Sequence, residues 1–183
     1  MGRRRAENAA RQLRSKHPDL ATPLDVRALA KRLGIAVLER ANLVKAGYGQ
    51  LSALLLRREG VTLCVLNKGH AATRRRYSLA HEIGHYVLHP PEESFIDVAA
   101  RSSLSSEGSD SKEIEANAFA AELLMPEMEL REAVKSPLDA SFEDEAEQVR
   151  ILARRFRVSD LAMTYRLLNT GLLVEAPSGL GGL

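Results

Sequence analysis

Residues 74–89 read RRRYSLAHEIGHYVLH, and within them His81, Glu82 and His85 form an H-E-x-x-H pattern. Leu79, Ala80, Ile83 and Val87 recur at helical spacing, which predicts an amphipathic helix over 72–89, ended by Pro90-Pro91. On a helix, residues four apart share one face, one turn above the other. His81 and His85 can therefore offer two imidazoles to one tetrahedral ion, and Glu82 beside them is placed to take a proton from water that the ion activates. Gly84 lets the back of this helix pack closely on a neighbour. The competing reading is an ordinary core helix with two incidental histidines. The clean apolar stripe and a candidate third ligand downstream weigh against it.

A catalytic zinc commonly takes three protein ligands and leaves a fourth position open. His89 shares the face but lies about 12 Å of helical rise from His81, too far to join both histidines at one ion. The longer H-E-x-x-H-x-x-G-x-x-H pattern also fails, because Leu88 and Pro91 stand at its Gly and third-His positions. The third ligand is expected from KEIEANAFAAELLMP (112–126), a strong helix stopped by Pro126. There Glu113 and Asn117 fall with Ala120 and Leu124 on an apolar side, where a carboxylate is costly unless paired or coordinated. Glu115 and Glu122 project together on the polar side. Glu113 is thus the expected ligand and Asn117 a hydrogen-bonding support for it, with Glu115 as the fallback. A solvated first-turn glutamate favoured by the helix dipole is the plain alternative. Tyr77, His89 and Tyr86 are candidate donors to an oxyanion, and each reads equally well as packing or as a solvated side chain.

Outward from this centre, ATPLDVRALAKRLG (21–34) carries helix signals: Thr22 as N-cap, Pro23 at the first position, Asp25 answering Thr22, and Gly34 as terminator. A basic lead over 5–17 is expected to be helical. IAVLER (35–40), GQLSALLLRR (49–58) and VTLCVLN (61–67) read as strands, the last two joined at Glu59-Gly60. Residues 91–111, rich in Ser and Gly, read as a long exposed loop, and 127–135 as a short helix. Three strands followed mainly by helices predict an α+β fold, with a small three-stranded sheet backing the H-E-x-x-H helix and a mostly helical C-terminal part.

The chain of 183 residues suffices for one domain over 1–183, and 45% hydrophobic with 27% charged residues is globular composition. A net charge of +2 does not by itself imply nucleic-acid or membrane partners. Cys64 is the only cysteine, so no intrachain disulfide forms, which fits a reducing compartment; it reads as a small buried hydrophobe. No apolar h-region follows the N-terminal arginines and no stretch is long enough to span a membrane, so a cytoplasmic location is expected.

Four stretches in series, LDVRALAKRLGIAV, RRRYSLAHEIGHYVLH, EIEANAFAAELLMP and LARRFRVSDLAMTYRLLNTGLL, resemble the ImmA/IrrE-type metallopeptidases of bacteria and mobile elements. The resemblance runs from about residue 22 to 173. It implies a zincin-like fold and one Zn2+ held by His81, His85 and Glu113, with Glu82 as the base. It also implies site-specific cleavage of a helix-turn-helix repressor, which induces genes for stress response or element transfer.

ILARRFRVSDLAMTYRLLNTG has the rhythm of a helix-turn-helix, within a C-terminal subdomain over about 143–175. Arg154, Arg155, Arg157 and Arg166 could meet phosphates, and Thr164, Tyr165 and Asn169 could reach base edges. Arg157 stands at a turn position that often prefers glycine. A packing or partner-docking role is favoured over direct DNA binding. The rival function is a non-proteolytic metal-responsive or DNA-binding regulator, or a toxin-like component of a two-gene module. Glu82 between the histidines favours the enzyme, since binding alone needs no base there.

Overall fold

The computed structural model describes residues 2–41, 43–45, 49–58, 60–89, 111–135 and 144–177. Helix α1 (Gly2–Ser15) starts at Gly2 rather than at residue 5 and buries Ala6, Ala10 and Leu13, spaced three and four apart. Helix α2 (Val26–Arg32) is capped by Asp25, whose carboxylate accepts the N–H groups of Arg27 and Ala28. This corrects the expected Thr22 cap. The Thr22 hydroxyl accepts from Arg14 instead, and the chain turns helical only after Leu24 has entered the core. Gly34, at φ 74°, closes the helix in the left-handed conformation that glycine tolerates best.

Strand β1 (Ile35–Arg40) follows, then a short antiparallel pair, β2 (Val44–Lys45) with β3 (Gly49–Gln50), then β4 (Ala53–Arg58) and β5 (Val61–Asn67). The main sheet has the order β1-β5-β4, with β5 parallel to β1 and antiparallel to β4. The single strand expected over 49–58 is broken at Leu51-Ser52. The Leu51 carbonyl accepts from the Asn67 side chain and that of Ser52 from the Asn67 N–H, and this fixes the bend between the two sheets. Ile35, Ala53, Leu55, Cys64 and Leu66 form the buried side of the main sheet and belong to one core cluster with Leu79, Ala80 and Ile83 of helix α3 (Ala72–Leu88). Val87, expected in that apolar stripe, is 37% exposed, and Leu88 is buried instead.

Helix α4 (Ser111–Leu124) crosses α3 at Gly84. A Cβ there would lie 3.2 Å from both the Cα and the carbonyl oxygen of Ala116, so glycine permits the close approach. Helices α5 (Glu127–Lys135), α6 (Glu145–Phe156) and α7 (Asp160–Asn169) complete the described chain. Between α6 and α7, Arg157 adopts the left-handed conformation at φ 53° and Ser159 caps α7 through the Ala162 N–H. Glu122 is not on a polar face, as expected, but 1% exposed. Arg166 of α7 grips it, and Arg11 Nε of α1 donates to it at 2.8 Å. Two helices pack on that side of α4, which the periodicity of one helix does not reveal. The long loop expected over 91–111 falls outside the described residues up to residue 110, and Ser111 opens α4. Among the described residues no helix is long and apolar enough to cross a membrane.

Candidate metal centre

The helical repeat of α3 stacks His81 over His85, and the crossing at Gly84 brings the first turn of α4 against both. The two Nε2 atoms stand 2.8 Å apart. Glu113 lies 3.1 Å from His85 Nε2 through one oxygen and 3.5 Å from His81 Nε2 through the other. A tetrahedral ion with bonds of roughly 2.0–2.1 Å has ligand–ligand edges of about 3.3 Å, and the three separations bracket that value. His81 and His85 are buried and Glu113 half-buried. Among the described residues this is the one group of three His, Cys, Asp or Glu side chains close enough to hold an ion together.

The fallback ligand, Glu115, is engaged elsewhere. Its Oε2 lies 3.0 Å from His89 Nε2, and His89 Nδ1 lies 3.1 Å from His85 Nδ1. A carboxylate only accepts, so neutral His89 donates from Nε2 and accepts at Nδ1. His85 must then donate from Nδ1, which leaves its Nε2 lone pair facing His81 and Glu113. This assignment of protons satisfies the chain and prepares His85 as a ligand. His89, read from the sequence as an oxyanion donor or a support, is turned behind His85 in the supporting position.

Tyr86 donates to the Leu33 carbonyl and is occupied there, so it is not the oxyanion donor. Tyr77 donates to the Asn117 carbonyl at 3.4 Å, and both residues line a cleft of about 820 Å3 that His81 also borders. Asn117 therefore meets Tyr77 through its backbone, one turn on from Glu113. Glu82 is 1% exposed, and its charge reaches Cys64 in β5. The Cys64 thiol is pushed well above its ordinary pKa, first by burial and then by Glu82. Buried and beside a carboxylate, it remains the inert small hydrophobe expected. Sequence reasoning missed the third wall of the cleft, formed by Leu161, Ala162 and Tyr165 of α7. The signal available was Leu161 and Tyr165, four residues apart on one face of a helix, opposite Met163 and Leu167.

Comparison of the sequence with family profiles matches residues 30–168 to the M78 peptidases, described as an IrrE N-terminal-like domain. The chain belongs to the M78 peptidase family. Its α+β, zincin-like architecture is that of the family, and membership supports a metallopeptidase-type role. Helix α1 and most of α2 precede the M78 match, yet α1 supplies Arg11 to the Glu122 pair. A search of curated protein sequences found no significant match. Among solved structures, a Mycobacterium tuberculosis transcriptional regulator is similar in fold, with a TM-score of 0.52 at 18% identity over 96% of this chain. The chain spans about half of that structure's length, 49%.

Proposed function

We propose that this M78 chain is a zinc-dependent endopeptidase that hydrolyses a peptide bond in a partner protein, a helix-turn-helix repressor, and so relieves repression in the cytosol. The observation that carries the reading is the convergence of His81, His85 and Glu113, with the Glu82 carboxylate buried on the same turn of α3. The three residues would hold Zn2+, which when bound supplies a Lewis acid that polarises a carbonyl and makes water acidic. Glu82 accepts the proton of the attacking water on a carboxylate oxygen and passes it to the leaving amine nitrogen. His89 and Glu115 hold His85 in the tautomer that leaves Nε2 free. Tyr77, at the cleft wall, exchanges its hydrogen bond to the Asn117 carbonyl for one to the oxyanion of the scissile group.

The rival reading, a DNA-binding regulator, has in its favour the description of the mycobacterial structural relative as a transcriptional regulator. Arg154, Arg155, Arg157 and Tyr165 are exposed as that reading needs, but the others it calls on are buried or engaged. Arg166 and Thr164, expected at phosphates or base edges, are 2% and 3% exposed, and Asn169 accepts from Arg3. The test is Glu82→Gln. It should bind zinc as the parent does and lose hydrolysis of a co-expressed helix-turn-helix repressor, read by mass analysis of fragments. Cleavage at the parent's rate by the variant removes Glu82 from its role.

A further inference from the structure

Helix α7 looks like the second helix of a helix-turn-helix, yet it is mounted as a wall of the cleft beside His81. Its side chains Met163, Thr164, Arg166 and Leu167 are buried. Apart from Asp160 in the first turn, the exposed residues of α7 are Leu161, Tyr165 and Asn169, at i, i+4 and i+8, and all three line the cleft. Leu161 is 45% and Tyr165 48% exposed, and Ile114 opposite them on α4 is 44% exposed. Eight large hydrophobic side chains are exposed among the described residues, and these three meet in one place. Apolar surface gathered in this way marks a binding site rather than chance exposure.

The cleft of about 820 Å3 lies within the range of ligand clefts, roughly 300–1,000 Å3, and is continuous with the candidate active site through Tyr77 and His81. Arg3 and Arg74 are among its lining residues, Arg3 also pairing with Glu7 at 3.4 Å and Arg74 donating to the Ser52 hydroxyl, and no Asp or Glu lines it. Of the polar groups on the exposed stripe of α7, the Asn169 amide is already taken by Arg3 at 2.9 Å, which leaves the Tyr165 hydroxyl. A helix that reads base edges needs uncommitted donors and acceptors on its outward face. This helix offers a leucine and a tyrosine.

We infer that α7 selects the substrate: Leu161 and Tyr165, with Ile114, seat a large apolar side chain of an extended protein segment next to the scissile bond, and Arg3 and Arg74 favour acidic residues around it. The inference rests on the peptidase reading for what happens at the bond, but the selection itself is a binding property. It is tested by fluorescence anisotropy on the zinc-loaded full chain carrying Glu82→Gln. One labelled decapeptide has the core Glu-Asp-Leu-Phe-Asp-Glu and the other Ser-Asn-Ala-Ala-Asn-Ser. The first should bind at least ten-fold more tightly. Leu161→Asp and Tyr165→Ala, at positions exposed enough to spare the fold, should each abolish that preference, while Met128→Ala, 68% exposed on α5, should leave it intact. Equal binding of the two peptides, or a preference unmoved by both α7 substitutions, overturns the inference. So does salt-dependent binding of a duplex DNA that Tyr165→Ala abolishes, since α7 would then be a DNA reader. A parent chain with Glu82 intact that leaves every co-expressed helix-turn-helix repressor uncut, while the selectivity stands, sinks the peptidase reading alone. Cleavage of both peptides at equal rates sinks the selectivity alone.

Discussion

Replacing His89 by Phe should weaken zinc binding without touching any of the three groups that would hold the ion. The His89 ring accepts from His85 Nδ1 across 3.1 Å and is itself anchored by Glu115 at 3.0 Å, with side chains only 10% and 15% exposed. Phe keeps the packing and removes both bonds, so His85 loses the acceptor that fixes its tautomer and ring plane. Loss of such a supporting partner costs about 10–100-fold in metal affinity, or roughly 1.4–2.7 kcal/mol. In excess zinc the same quantity appears as lost stabilisation, roughly 3–11 °C in Tm for a domain of this size. Glu115→Gln should cost less than His89→Phe, because the amide oxygen still accepts from His89 Nε2. Competition with a chromophoric chelator gives the affinity. The difference between melting temperatures with and without zinc gives the stability, and cancels any change in the metal-free fold. A His89→Phe affinity within two-fold of the parent would refute the proton assignment along the chain.

Two further outcomes follow from charges away from the centre. Glu122 and Arg166 are buried against each other, with side chains 2% and 1% exposed. Glu122→Gln should lower unfolding free energy by about 3 kcal/mol in urea denaturation, whereas pairing Glu122→Leu with Arg166→Met should restore most of it; a single variant as stable as the parent would show the pair to be idle. Asp19 is held at a pKa of about 2, first by its hydrogen bond from Arg32, against an ordinary 3.8. A depressed carboxylate stabilises above its unfolded pKa and loses that contribution as pH falls through the folded one. Asp19→Asn should therefore lower Tm slightly at pH 6 and leave it unchanged below pH 2; a deficit that persists at low pH would assign the effect to something other than this pair.

The parts written in local spacing were legible in the sequence. That His81 and His85 share a helix face needs only the helical repeat, and that Glu113 lies beside them follows from the cost of leaving a carboxylate on an apolar helix face. Strands β1 and β5 came out at their observed limits: β1 alternates buried and more exposed residues as a half-covered strand does, and β5, central in the sheet, is a short, mostly apolar run buried from Cys64 to Asn67. What failed depends on neighbours distant in sequence. Glu122 reads as polar until α1 and α7 bring Arg11 and Arg166 to it, 111 and 44 residues away. Arg166 reads as a phosphate contact for the same reason. The strand over 49–58 looks continuous because nothing local announces that Asn67 will take the carbonyls of Leu51 and Ser52. The choice between Thr22 and Asp25 as cap turned on Leu24, whose burial delays the helix start.

The selection of Glu113 over Glu115 shows how the fold sets the chemistry. The two carboxylates are only about 20° of helical rotation from being back to back, so α4 can send only one of them to the histidine pair. The crossing decides which. With Ala116 seated on Gly84, the turn before it faces His81 and His85, and the flank carrying Glu115 passes behind His85, where His89 waits. A side chain at Gly84 would press on the Ala116 backbone itself, so α4 would have to shift as a body and carry both carboxylates with it. One close contact between helices therefore fixes the third candidate ligand and the anchor of the second together. That coupling makes the glycine inside H-E-x-x-H as much a part of the centre as the residues on either side of it.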